Sequence, residues 1–288
     1  MIFRGDRVRA VLAAIVSLGM ALGVLWPGIG TSPAGAQSTL YDTFNAHELD
    51  PDKWFGEQFS TPSNAGLEAT RQLQGNQLWM SHRVIGGTAS DTGRWASRNR
   101  VRFFPFATAS DITALKFTVA VHEFDLAACA TAGSASTRVA AGSNGWYFND
   151  GTSTGPSDAT GNVGAFVWLE RASDSTDKPN VLRAIGGVYR VLAPSGLPTA
   201  GLGTVDLGPA KKGVPATLRL LWNAATDRFE FQLNKGPVQT ISYALSDANP
   251  PSGGFKDLEV RGDVPNCTAA PRPFGEITAA FNDVFVSP

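Results

Sequence analysis

The sequence predicts an all-β protein, a jelly-roll-like sandwich of two antiparallel sheets, on three observations. The first is Ala216–Pro237, ATLRLLWNAATDRFEFQLNKGP, which reads as a β-hairpin. Leu218, Leu220 and Trp222 alternate with Thr217, Arg219 and Leu221, and after the turn Phe229, Phe231 and Leu233 alternate with Arg228, Glu230 and Gln232. Period-two alternation puts each apolar set on one face, because successive strand side chains point to opposite sides. The second is that no long window carries a helical 3.6-residue period. The third is the recurrence of short β-branched and aromatic runs between Gly-, Ser- and Asp-rich turns.

The hairpin supplies most of the argument. Asn223–Asp227 is the loop, where Asn and Asp side chains bond their own backbone. Three large apolar residues per strand on one face require a second sheet to cover them. Arg219 and Glu230 are placed to pair across the outer face.

The chain of 288 residues opens with Arg4, Arg7 and Arg9, then the apolar run Ala10–Trp26, the break Pro27-Gly28, and Ala34-Gly35-Ala36. That is the layout of a secretory signal, so residues 1–36 are expected to be removed and residues 37–288 to form one domain. An uncleaved membrane anchor is the alternative, because the run is long for a signal core. No later segment is apolar enough to span a bilayer, so no membrane contact is expected after cleavage. Formal net charge is −1, and omitting the three signal arginines and Asp6 moves it to about −3. Such a balance argues against a polyanion-binding protein as a whole, and no nucleic-acid partner is expected. It leaves room for a local basic strip.

Cys129 and Cys267 are the two cysteines of the chain. In an exported protein a disulfide between them is the default, closing a loop for which chain entropy allows about 4–5 kcal/mol. With three histidines in all, a His/Cys metal cluster is not expected.

Leu40–Trp54, LYDTFNAHELDPDKW, reads as a short strand, an Asn/Asp-rich turn and a tryptophan. With Leu73-Gln74-Gly75-Asn76-Gln77-Leu78-Trp79-Met80, the strand Trp95–Phe104, the hairpin above and the closing Ala279–Val286, AAFNDVFV, it resembles the concanavalin A-like lectin/glucanase superfamily. The resemblance runs the length of the mature chain and implies the fold, not an activity. Between these landmarks Ile112–Phe124, Asn144–Asn149, Val163–Glu170 and Val181–Val191 read as strands, with Asp150–Asn162 and Ala193–Gly203 as separators.

Glucanases of that superfamily carry Glu-x-Asp-x-(x)-Glu on one strand, because a retaining glycosidase needs two carboxylates about 5–5.5 Å apart. His122-Glu123-Phe124-Asp125-Leu126-Ala127-Ala128 has the first half and alanine where the second Glu belongs. Val163–Glu170 carries one acid, Glu170, on the face of Phe166 and Trp168. One carboxylate cannot be both nucleophile and acid, so the hydrolase motif is incomplete. Lyases on the same sandwich use Tyr or His with Arg, Gln or Asn; Tyr189, Arg190 and His122 are the right types, but no motif joins them. There is no Gly-x-Ser-x-Gly elbow and no phosphate-cradling glycine pattern.

The candidate ligand residues are Trp146, Tyr147, Trp168 and Glu170, since sugar rings stack on flat aromatic faces. Burial between the sheets is the competing expectation for each aromatic. Arg98, Arg100 and Arg102 alternate into a basic stripe able to grip an acidic polysaccharide. A solvated outer face paired with Asp and Glu is the expected role. Arg261-Gly262-Asp263 spells an adhesion tripeptide that occurs again at Arg4-Gly5-Asp6, which marks it as chance. Asn266-Cys267-Thr268 is a formal glycosylation sequon.

These readings converge on an exported carbohydrate-recognition domain, expected to bind extracellular or cell-wall polysaccharide without catalysis. A hydrolase or lyase is the alternative, and a structural or adhesion role stands third. The resemblance further implies a structural calcium ion held by Thr43 or a neighbour, Gly75 and Asp283.

Overall fold

The computed structural model describes residues 38–59, 65–88, 94–131 and 133–288. The expected secretory segment lies outside the described residues. In chain order the strands are β1 (Thr39–Asp42), β2 (Trp54–Phe59), β3 (Ala65–Leu73), β4 (Leu78–Ile85) and β5 (Arg94–Phe103). A helical turn, α1 (Phe106–Asp111), precedes β6 (Ala114–Ala127), β7 (Arg138–Asn149), β8 (Asn162–Ala172) and β9 (Val181–Val191). Then come β10 (Thr199–Lys211), β11 (Ala216–Asn223), β12 (Arg228–Leu233), β13 (Gln239–Ser242), β14 (Lys256–Pro265) and β15 (Phe274–Ser287).

The strands form two antiparallel sheets packed as a jelly-roll-like β-sandwich. One has the order β13-β12-β11-β6-β15-β4-β3, with β1 also on β15; the other has the order β10-β9-β8-β7-β14-β5-β2. The hairpin forms in the expected register, with Leu220 opposite Phe231 and Trp222 opposite Phe229. Leu218, Leu220, Phe229 and Phe231 are fully buried. Each such side chain contributes about 1.5–3 kcal/mol of burial. Arg219 and Glu230 meet at 3.9 Å on the other face, and Arg228 holds the same carboxylate more closely, at 3.0 Å. The loop closes as a 3₁₀ turn, Ala224–Thr226, ended by Asp227 at φ 49°.

Phe231 reaches across the core to Gly186 of β9, where an added Cβ would stand 2.5 Å from its ring. The first informative segment folds back on itself: Asp42 accepts from the Phe44 amide at 2.7 Å and from the Trp54 indole at 2.7 Å. Cys129 and Cys267 are bonded, with Cα atoms 5.6 Å apart. They join the β6–β7 and β14–β15 connections, each a crossover from one sheet to the other.

Three local readings are corrected. Ala193–Gly203 is not wholly a separator, because β10 begins at Thr199 and pairs with β9 along its length. Its glycines sit beside register shifts at Gly201/Gly203 and Asp206/Gly208, and glycine-rich edge strands look like turns in sequence. The sequon residue Asn266 is buried, its side-chain oxygen accepting from the Gly87 amide at 2.9 Å, and Cys267 is in the disulfide. The arginine stripe of β5 lies on an outer face and is paired with Asp and Glu as expected, but it is largely shielded from solvent, at 11–20 % side-chain exposure.

Candidate functional site

The outer face of the seven-stranded sheet carries a cleft of about 720 Å³, and β5, β14, β7, β8 and β9 form its floor. Alternation on β5 sends Asn99, Val101 and Phe103 into the interior and leaves Arg98, Arg100 and Arg102 on the cleft side. On the neighbouring β14, Asp257 lies opposite Arg102, Glu259 opposite Arg100 and Arg261 opposite Arg98. Asn144 of β7 lies opposite Asp257 on the other side, and Gly142 opposite Glu259. Phe166 and Trp168 of β8 follow, opposite Asn144 and Gly142.

This register produces a charged bilayer. Asp257 and Glu259 are 0 % exposed and lie beneath the arginines. Glu259 is 3.6 Å from Arg98 and 3.5 Å from Arg261, and Asp257 is 3.7 Å from Arg100. These separations are those of ion pairs rather than hydrogen bonds. Asp257 Oδ1 accepts from the Asn144 amide at 3.2 Å, whereas its Oδ2 and both Glu259 oxygens have no hydrogen-bond donor. Burial, then the Glu259 charge, holds the Asp257 carboxyl above the usual carboxylate range, against the pull of Arg100 and Arg98. Arg100 is further tied to Glu57 of β2 at 2.7 Å.

Aromatic rings wall the cleft. Phe166 and Trp168 stack with centroids 3.9 Å apart and planes 15° from parallel. Trp146 meets Phe255 edge-on at 5.1 Å. Arg100 and Arg102 lie over Phe255 at 5.0 and 5.2 Å, and Arg261 lies over Trp168 at 4.4 Å. The rings lie close to the sheet because glycines sit under them. A Cβ on Gly187 would be 2.3 Å from Phe166, and one on Gly164 would be 2.3 Å from Tyr189. The Tyr189 hydroxyl donates to Asn144 Oδ1 at 2.9 Å, and burial pushes its pKa up.

The structure divides the sequence-derived candidates. Trp146 and Trp168 line the cleft. Tyr147 does not: it is 2 % exposed and packs between the sheets on Phe229, at 5.3 Å. Strand alternation alone puts Tyr147 on the face opposite Trp146, and a register shift in β7 between Trp146 and Phe148 turns Phe148 inward beside it. Glu170 is not among the lining residues and pairs with Arg138 at 3.6 Å. His122 stacks on Trp79 in the other sheet, and Arg190 is held by Asp150, so the lyase-type residues are not brought together. Glu123 and Asp125 are exposed on β6, also in the other sheet.

Sequence reasoning missed Asp257, Glu259 and Phe255. The alternation of Asp257-Leu258-Glu259-Val260-Arg261 is the local signal that marks the two acids as sharing a face with Arg261. Of the expected calcium residues, Gly75 turns the chain at φ 60°, and Asp283 sits exposed at φ 49° in β15. The Asn282 side chain accepts the Asp283 amide at 2.8 Å. Among the described residues no three His, Cys, Asp or Glu side chains converge. A cation there would rest on one carboxylate and backbone carbonyls, the hard oxygen donors calcium takes.

No protein-family model matches the sequence, and no curated protein matches it. Among solved structures the chain is similar to LamAcat from Zobellia galactanivorans, at 12 % identity and TM-score 0.43 over 86 % of this chain and 96 % of that one. It is similar to a Bacillus licheniformis beta-glucanase at 10 % identity and TM-score 0.42, over 88 % and 99 % of the two chains. A carbohydrate-binding module from Bacillus subtilis gives 8 % identity and TM-score 0.33, over 82 % and 96 %. At these values none of the likenesses bears on what the cleft binds.

Proposed function

We propose that the chain is an exported carbohydrate-recognition domain, acting without catalysis, whose ligand lies in the outer cleft of the seven-stranded sheet. The observation that carries this reading is the meeting of flat aromatic faces and convergent hydrogen-bond donors in one cleft of about 720 Å³. Trp146 and the Phe166–Trp168 stack offer platforms for the C–H faces of sugar rings, and the arginines offer donors at their edges. A volume of this size is typical of ligand pockets. Export agrees with the disulfide, which persists in oxidising compartments.

Recognition is favoured over hydrolysis by the placement of the acids. A retaining or inverting glycosidase needs two carboxylates that reach the scissile bond. The two acids nearest the cleft, Asp257 and Glu259, do not line it and are fully buried beneath guanidinium groups. Beta-elimination is the second reading, since Tyr189, Asn144 and arginines share the cleft. Against it, the raised pKa of the Tyr189 hydroxyl disfavours a base role.

The test is a glycan-array screen of residues 37–288, followed by calorimetry of the best ligand with Trp146→Ala and Trp168→Ala. Loss of a stacking platform is expected to weaken binding at least tenfold. Unchanged affinity in both variants would remove the cleft as the site. Reducing-sugar release or unsaturated product from the same ligand would replace recognition by an enzymatic reading.

A further inference from the structure

We infer that the saccharide this cleft takes is anionic, with carboxylate or sulfate groups received by Arg98, Arg100, Arg102 and Arg261. The inference rests on the reading of the cleft as a saccharide site. It follows from an imbalance of charge. No Asp or Glu is among the described residues lining the cleft, while four arginines are. The acids that accompany them lie beneath or beside the guanidinium layer, so a ligand in the cleft meets the cations first.

The acceptor groups among the lining side chains are neutral: the amide oxygen of Asn144, which already accepts from Tyr189, and the hydroxyls of Ser195, Thr199, Thr204 and Tyr189. A neutral sugar hydroxyl can bond to these, but it leaves the guanidinium charges without a counter-charge from the ligand. A carboxylate or sulfate only accepts, and guanidinium groups match it with charge-assisted, often paired hydrogen bonds.

Two of the arginines are also weakly engaged. The ion pair of Arg98 is 3.6 Å long, and that of Arg102, to Glu57, is 3.7 Å. Burial lowers the pKa of Arg102, and the neighbouring Arg100 charge lowers it further; an anion beside the pair would relieve that repulsion. The guanidinium planes are already ordered: Arg102 lies 4.2 Å over Phe106, and Arg261 lies over Trp168. Less side-chain freedom is therefore lost on binding.

The test is calorimetry with three oligosaccharide arms: a uronate homopolymer, the same oligomer with its carboxyl groups reduced to alcohols, and a sulfated neutral oligomer. A single-stranded oligothymidylate serves as a non-saccharide polyanion. The uronate or the sulfated arm is expected to bind at least tenfold more tightly than the reduced arm, with affinity falling as salt rises. Whichever of the two binds identifies the anion. Arg98→Gln and Arg102→Gln are expected to erase that preference, and Arg102→Lys to weaken it less. Should a glutamine variant fail to fold, the wild-type comparison of native with reduced oligomer still decides the matter. Equal binding of uronate and reduced forms would overturn the anionic assignment and leave the saccharide reading standing. Binding of no saccharide arm would overturn both, and oligothymidylate binding as tightly as any saccharide would overturn the assignment of a sugar ligand.

Discussion

Arg261 lies over the Trp168 ring, its Cζ 4.4 Å from the centroid, while its Nη2 donates to both oxygens of Asp263 at 2.7 and 2.9 Å. The Arg-Gly-Asp tripeptide is thereby spent inside the fold. Strand alternation puts Arg261 and Asp263 on one face, and Gly262 faces the interior, where a Cβ would stand 2.4 Å from Val84. The same guanidinium reaches Glu259 at 3.5 Å. One arginine thus couples the aromatic wall of the cleft to its buried acids.

The raised pKa of Asp257 makes its ionisation a liability. The folded state keeps its proton to higher pH than the unfolded chain does, so stability is lost as pH rises from about 4 through the folded-state value. The groups facing it are Glu259, Arg100 and Arg98, with the Asn144 amide on its other side. Asp257→Asn is expected to remove this contribution. Urea unfolding across pH should show the wild type falling behind the variant as pH rises, by at most about 1.4 kcal/mol per unit. A constant difference between the two would show that Asp257 titrates normally.

His82 acts in the opposite direction. Its ring is buried, with Nε2 2.9 Å from the Ser97 hydroxyl, and burial lowers its pKa from 6.5 to about 4. Between these values the unfolded chain takes up a proton that the folded chain does not. Stability therefore falls as pH falls through that window, by about 3 kcal/mol in all. His82→Gln should flatten the acid limb of the same urea titration. An acid limb of unchanged slope would assign the loss to other groups.

The disulfide closes a loop with a sequence separation of 138. Cys129→Ser with Cys267→Ser is expected to lower stability by about 2–5 kcal/mol, mainly by freeing the unfolded chain. Thermal melts of the double variant and of reduced wild type should agree. A melting midpoint unmoved in both would mean that the two crossovers hold together without the bond.

If calcium binds where Gly75, Asp283 and the Thr43 segment are expected to hold it, excess calcium will raise the melting midpoint by mass action. A chelator will lower it, and Asp283→Ala will abolish the difference. An identical midpoint in calcium and in chelator would exclude the site.

The sequence by itself determined the sandwich, because strand alternation, turn residues and the amphipathic faces of the hairpin are local properties that a one-residue register slip would invert. Leu218, Leu220, Phe229 and Phe231 could only face inward, and the cysteine pairing followed from compartment and count. Which face would be open, and what would line it, was decided by tertiary structure. Alternation parts Trp146 from Tyr147, but which of the two faces outward was fixed by packing, and the register shift that turns Phe148 inward as well has no local mark. The arginines of β5 looked like a solvated stripe until β14, more than 150 residues away in the chain, paired with them and slid Asp257 and Glu259 beneath their charges. Burial of a charge depends on what packs around it from distant segments, and a linear sequence carries that information only once the chain has folded.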